Sequence, residues 1–320
     1  MPIITSAYHP PHFFKNGHFA TIYAGKLRKV NGVKQQRKQL VTNDNDFIDL
    51  DWSFTEEKTN KLVIIFHGLE GNAQRPYVTG SAKIFNKNGY DAVCVNYRSC
   101  SGTPNKLFRS YHSGDSDEVE FIVQHILNNY TYSEIVLKGF SLGGNLTLKY
   151  LGQHQIPSAI KAAIAVSAPV DLYGSMLEIH KRKNFIYALR FKKSLLAKLK
   201  EKQQLFPDKI TDQTIKKIIT LKDFDDIYTS QAHGFKNALD YYDKSSAMHT
   251  LENIKIPTLI LNAKNDSFLS ERCFPIEAAK NNTHLHLEIP EYGGHVGFYD
   301  TQNVYYNEKR ALQFATEVTK

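Results

Sequence analysis

Long apolar runs are missing from this sequence: among its 320 residues, no uninterrupted aliphatic or aromatic stretch is longer than Leu62 to Phe66. A helix that crosses a bilayer needs ~20 such residues, so no transmembrane helix is expected. Cysteine is scarce as well. Cys94, Cys100 and Cys273 are odd in number and unrelated in spacing, which excludes a disulfide framework and a CxxC zinc site. The opening residues MPIITSAYHPPHFF hold no basic segment followed by an apolar one, so no secretory signal is legible. These absences make a soluble protein of a reducing compartment, the cytoplasm, the expectation. No internal repeat or low-complexity tract is apparent. A chain that is 42% hydrophobic and 22% charged, with 18 Gly and 11 Pro, has ordinary globular chemistry. Its length suits one large α/β unit.

Positive charge is present but confined. Lys and Arg number 40 against 32 Asp and Glu, a formal charge of +8. Between Lys181 and Lys202 stand nine Lys/Arg and one acid, Glu201, so this segment accounts for the whole excess. Ala188, Phe191, Leu195 and Leu199 recur there at helical spacing, with Leu189 and Leu196 beside them; Arg190, Lys192, Lys193, Lys198 and Lys200 fill the other positions. The pattern predicts an amphipathic helix whose charges mostly solvate. The functional alternatives are weak contact with an anionic membrane surface and attraction to a phosphate- or CoA-bearing substrate. No nucleic-acid module or aromatic-interleaved basic array accompanies the charge, so nucleic acid is not an expected partner.

After an irregular start, the chain alternates strand and helix patterns. A short strand is expected at Gln39–Thr42, and a half-exposed one over FIDLDWSF, Phe47–Phe54, where apolar and polar residues largely alternate. The apolar runs Leu62–Phe66, Asp91–Asn96, Ile135–Lys138, Ala162–Ser167 and Thr258–Leu261 read as strands buried on both faces, and His284–Ile289 as a last, alternating one. Helices are expected near Tyr77–Asn88, Asp115–Asn128, Leu142–Gly152, Glu271–Lys280 and Tyr306–Val318. This order implies an α/β fold, a mostly parallel central sheet with helices on both faces. The rhythm breaks once. Residues 171–252 carry helical patterns and no convincing strand, too long an interval for a structureless loop. It is read as a helical cap inserted into a core formed by residues 1–170 and 253–320.

The most specific local signal is Gly139-Phe140-Ser141-Leu142-Gly143, a G-x-S-x-G between a β run and an amphipathic helix. A sharp strand-to-helix turn strains its central residue and leaves no room for side chains two positions away. The serine then projects above the sheet at a helix N-terminus, where developing negative charge is favoured. A serine hydroxyl needs a base to take its proton, and the base needs a carboxylate to hold it. In this context the chain order is serine, acid, histidine. Asp266 follows the strand run PTLIL, and His295 lies in the glycine-rich loop PEYGGHVGFYD beyond the last strand. Asp171 and Asp300 are rival acids, and His233 a rival base. Two backbone N–H groups should meet the oxyanion: that of Leu142, after the nucleophile, and that of Leu69 in IIFHGLEGN. Glu70 beside that hole is expected to point away or to bind backbone amides.

Over nearly its whole length the chain resembles the YheT-like branch of the α/β-hydrolase superfamily. The resemblance is carried by NGHFATIY, DFIDLDW, FHGLEGN, NYRSCSGTPN with RSYHSGDSDE, GFSLGGNLTLKYLG, AVSAPVDL, HGFKNALDYYDKSSA, LNAKNDSFL and GGHVGFYD. It departs at Ser99, where a glycine is common in the family. The resemblance implies that Ser141, Asp266 and His295 form the triad, and it leaves esterase, lipase and acyl-transfer chemistry open. The expectation is therefore a serine hydrolase of small-molecule carboxylic esters, with a short- to medium-chain acyl group and no metal or organic cofactor. Acyl transfer to an alcohol, or a non-catalytic ligand-binding protein, are the alternatives. His284, His286 and Glu288 alternate on one strand but lack a further ligand for a metal. Cys100 near the expected site lacks a base of its own, and Cys94 is expected to pack. The block Arg109–Asp115 can position substrate through His112 or Arg109, or cap the next helix through Asp115. His9, His12 and His18 are expected in turns and packing.

Overall fold

The computed structural model describes residues 3–319. Nine strands form one sheet: β1 (Ile3–Ile4), β2 (Gln36–Val41), β3 (Phe47–Ser53), β4 (Lys61–Phe66), β5 (Asp91–Asn96), β6 (Glu134–Phe140), β7 (Ile160–Val166), β8 (Thr258–Leu261) and β9 (Leu285–Glu288). Their spatial order is β1-β9-β8-β7-β6-β4-β5-β3-β2. Only β2 with β3 and β3 with β5 pair antiparallel; every other pair is parallel. The carboxyl ends of β4, β6, β8 and β9 therefore open on one edge, where α/β sheets assemble their sites.

Alternate residues of the central strands feed two cores. Leu62, Ile64, Phe66 and Leu137 pack on one face, and Val63, Ile65, Val136 and Phe140 on the other. Helices α1 (Gly17–Ile22), α2 (Pro76–Asn86), α3 (Ser116–Asn129), α4 (Leu142–Gln153), α11 (Ile276–Asn281) and α12 (Tyr306–Val318) accompany the sheet. Between β7 and β8 lie only helices: α5 (Leu172–His180), α6 (Phe185–Leu205), α7 (Asp212–Lys216), α8 (Leu221–Phe224), α9 (Ser230–His233) and α10 (Ala238–Ser245), with short helical turns between and after them. Part of this insertion has a core of its own, with Leu195, Leu199, Ile218, Phe224 and Tyr228 among its members.

Several expectations need correction. β3 is not half-exposed: all seven of its residues are buried. Its alternation separates an apolar face, Ile48, Leu50 and Trp52 in the core, from a polar face that is also covered. On that face Asp51 is paired with Arg37 at 2.7 Å and accepts from Gln74. The helix expected over Glu271–Lys280 is broken into a 3₁₀ turn at Glu271–Cys273 and α11. Pro275 stands between them, and a proline both lacks the N–H and disfavours helix at the preceding residue. The start is less irregular than expected, since β1 and α1 lie within it. β1 is only two residues long and carries no readable period.

Candidate active site

Ser141 sits between β6 and α4 with φ 52° and ψ −120°. The glycines around it are required by space. A Cβ on Gly139 would lie 2.1 Å from the Gly143 carbonyl oxygen, and one on Gly143 would lie 2.5 Å from that of Phe66. The Ser141 N–H donates to the Val166 carbonyl at 2.8 Å, and its own carbonyl accepts from Asn145 N–H at 3.0 Å, which ties the turn to β7 and starts the helix. Its strained backbone is held by neighbours on both sides.

The structure brings His295 and Asp266 together. Nδ1 of His295 is 2.8 Å from Oδ2 of Asp266, whose side chain is fully buried. That contact places the ring proton on Nδ1 and leaves Nε2 to accept one. Asp266 Oδ1 also accepts from Phe268 N–H at 3.0 Å, and the Phe268 ring lies 4.4 Å from the imidazole. Ser141 and His295 line the same two cavities. Among the described residues no hydrogen bond joins the Ser141 hydroxyl to the imidazole, and such contacts commonly tighten only once substrate is bound.

The histidine loop is buttressed by small polar residues within the motifs NGHFATIY, AVSAPVDL and LNAKNDSFL, though the sequence assigned them no role. His295 N–H donates to Thr21 Oγ1 at 2.8 Å, Val296 N–H to Ser167 Oγ at 3.1 Å, and Gly294 N–H to Asn265 Oδ1 at 2.9 Å. Gly294 has φ 55°, and a Cβ there would meet the Gly17 carbonyl at 2.3 Å. The stretch NGHFATIY thus packs under His295 through Gly17 and Thr21.

Leu69 and Leu142 flank Ser141, and neither backbone N–H has an internal acceptor among the described residues. The preceding Gly68 lies close enough that a Cβ on it would be 3.0 Å from Ser141 Cβ. His67 braces this loop. Its Nδ1 donates to the Gly68 carbonyl at 2.8 Å and its Nε2 accepts from Tyr97 N–H at 3.4 Å. Burial pushes its pKa down to about 3, which keeps it neutral. The Glu70 carboxylate binds no backbone amide. It accepts from Tyr111 Oη at 2.7 Å, Ser194 Oγ at 2.5 Å and Lys198 Nζ at 2.9 Å. A cation compensates a buried carboxylate better than neutral amides do.

Arg190, Lys193 and Lys200 are exposed, as expected of a mostly solvated charged helix, but two other lysines of α6 find partners. Lys198 reaches Glu70 in the loop that holds Leu69, and Lys202 Nζ donates to the carbonyls of Asn105, at 3.0 Å, and Leu107. Leu195 and Leu199 are buried as its spacing predicts. Cys100 Sγ is 3.1 Å from Lys198 Nζ, and burial still holds its thiol up at about 11, so it is no rival nucleophile.

The other candidates lie elsewhere. Asp171 caps α5, accepting from Gly174 N–H at 3.2 Å, and Asp300 accepts from Thr301 N–H and pairs with Lys309. His233 packs against His112, rings 4.4 Å apart, and burial lowers both to about 3. With Asp115 they are the described residues' one cluster of metal-ligand type, yet Asp115 Oδ2 already accepts from Arg109 at 2.6 Å. Asp115 precedes α3 without a side-chain capping bond, so the capping role expected as one alternative is absent; His112 lines one of the two cavities that Ser141 and His295 share. Glu288, which the sequence set beside His284 and His286, is instead taken by Arg310 at 2.8 Å and Ser6 at 2.7 Å.

One cavity runs beneath the insertion and is lined by Leu172, Met176, Phe191, Leu195, Phe224 and Tyr228 among others. The other is bordered by Ile22, Lys26, Arg75, Ile186 and Arg190. No helix among the described residues is long and apolar enough to cross a membrane.

A family model described as the alpha/beta hydrolase fold matches residues 61–301. The chain is 31% identical over 293 residues to "Putative esterase YheT" of Escherichia coli, covering 90% of this chain and 86% of that protein. It is 25% identical over 305 residues to a human protein named Phospholipase ABHD3, covering 93% and 75%. It is also 29% identical over 259 residues to a monoacylglycerol lipase of Saccharomyces cerevisiae, covering 78% and 57%. Among solved structures an esterase of Pyrococcus furiosus superposes with a TM-score of 0.61 at 16% identity, over 93% of this chain and 98% of that one; this likeness concerns the fold.

Proposed function

The chain belongs to the α/β-hydrolase family, and from that premise we propose that it hydrolyses carboxylic esters with a short- to medium-chain acyl group. Its relatives include proteins named as an esterase, a phospholipase and a monoacylglycerol lipase. The observation that carries the reading is the His295–Asp266 contact of 2.8 Å at the cavities into which the strained Ser141 also projects.

In this reading Ser141 Oγ attacks the ester carbonyl while His295 Nε2 takes its proton. The oxyanion faces the N–H groups of Leu69 and Leu142. His295 then protonates the departing alcohol, and water, deprotonated by the same imidazole, releases the acid from the acyl-enzyme. Asp266 holds the tautomer and steadies the imidazolium. The apolar cavity beneath the insertion suits the acyl chain, since its walls are mostly aliphatic and aromatic.

The test is turnover of p-nitrophenyl esters of graded acyl length by the wild type and by Ser141→Ala. Removing the nucleophile of a serine protease lowers kcat by roughly 10⁶, and a loss of that order is expected here. Comparable turnover in the variant, or no labelling of Ser141 by a fluorophosphonate, rejects the mechanism.

A further inference from the structure

Helix α6 leaves large apolar side chains in water. Phe185, Ile186 and Leu189 are 59%, 74% and 44% exposed, and Arg190 and Lys193 continue the same solvent face. Across the opening, α1 presents Phe19 and Ile22, each 42% exposed. The two helices are joined where His18 Nδ1 lies 3.3 Å from Tyr187 Oη. Ile22 and Lys26 from one side, and Ile186 and Arg190 from the other, line the cavity that reaches Ser141 and His295. Apolar surface gathered on both sides of one opening and rimmed by polar groups marks a binding face rather than scattered exposure.

The charge around this rim is predominantly positive. Lys26, Arg182, Arg190, Lys192 and Lys193 have no acidic partner among the described residues, and Glu178 is shared by Lys181 and Lys183. A second copy of the chain docked by the same face would set this basic segment against itself. An anionic surface would be attracted instead, and an apolar face flanked by Lys and Arg is the composition of a helix that lies in a membrane interface.

We infer that this rim docks on the surface of an anionic lipid bilayer. Phe19, Ile22, Phe185, Ile186 and Leu189 enter the boundary between headgroups and acyl chains, while the surrounding cations face lipid phosphates. Docked in this way, the opening toward Ser141 faces the membrane, and an amphiphilic ester reaches the cavities without crossing bulk water. The docking does not depend on the hydrolytic reading.

The experiment is co-sedimentation of the full chain with vesicles of phosphatidylcholine, with and without phosphatidylserine, at low and high salt. Binding is expected to the anionic vesicles and to weaken with salt, because surface attraction is screened within ~8 Å at physiological ionic strength. The pairs Phe185→Ser/Leu189→Ser and Arg182→Gln/Lys193→Gln should each weaken it roughly tenfold or more. Both pairs should keep wild-type turnover of a water-soluble ester, which shows that they fold, and Ser141→Ala should bind vesicles as the wild type does. Wild-type protein that stays in the supernatant, that binds neutral vesicles equally well, or whose Phe185 and Leu189 prove to hold a dimer in sedimentation velocity overturns the docking. Vesicle binding without any ester turnover would sink the reaction and leave the docking standing.

Discussion

One added methyl group separates two kinds of glycine around Ser141. At Gly143 a Cβ would stand 2.5 Å from the carbonyl of Phe66 and 2.7 Å from that of His67, both backbone atoms at the end of β4. Neither can yield without disturbing the central sheet, so Gly143→Ala should lower stability by about 1–3 kcal/mol or more, read in thermal or urea unfolding. At Gly68 the nearest atoms are Ser141 Cβ at 3.0 Å and the Phe140 carbonyl at 3.4 Å, which ask for shifts of tenths of an ångström. Gly68→Ala should fold with stability close to wild type and lose at least about tenfold in ester turnover, since a donor displaced from the oxyanion costs ~1.4 kcal/mol for each factor of ten. Loss of folding with the second and not the first would reverse this assignment. Ser141, Asp266 and His295 were legible as candidates because their chemistry has a motif and a chain order. Thr21, Ser167 and Asn265 were not. They are small polar residues whose contacts to the histidine loop span up to 274 positions of chain, and no local pattern announces such a partner.

Helix α6 shows what periodicity conveys and what it leaves open. Its buried leucines followed from spacing, but the partners of its lysines depended on which loop lies beneath each turn. Lys198 meets Glu70, whose side chain is 5% exposed and whose backbone follows directly on Leu69. Lys198→Met would leave that carboxylate buried without its cation, and a destabilisation of about 3 kcal/mol is expected from breaking such a pair. Adding Glu70→Gln should restore much of it, because a neutral amide needs no counter-charge; a double-mutant cycle in urea reads the coupling. Additive losses in that cycle would mean that the pair contributes little. β3 carries the same lesson in reverse. Its alternation distinguished two chemistries correctly, yet both faces are covered, because Arg37 and Gln74 reach across to Asp51.

For the molecule as a whole, the least expected charge is Lys138, fully buried in the central strand β6. Its Nζ donates to Ser81 Oγ at 2.9 Å on α2 and to the Asn307 carbonyl at 3.1 Å on α12. Burial lowers its pKa from 10.5 to about 7. The unfolded chain therefore holds this proton more tightly than the folded one between those values, and stability contributed by this site rises with pH across that window. A single group can supply a slope of at most ~1.36 kcal/mol per pH unit. Lys138→Met should remove that rise from urea-unfolding free energies measured between pH 7 and 9; an unchanged slope would show that the amine stays charged in the fold. The run Ile135–Lys138 reads as a strand buried on both faces, but nothing in EIVLKGF shows which groups would receive the lysine's amine. The alternation of strand and helix, the helical insertion and the serine elbow were determined by sequence alone, because backbone sterics and the burial of apolar stripes act over a few residues at a time. Which cation neutralises Glu70, which hydroxyl anchors the histidine loop and which apolar side chains remain in water at the cleft were decided only when distant segments packed together. Those outcomes depend on distances across the fold, and a linear order of residues does not carry them.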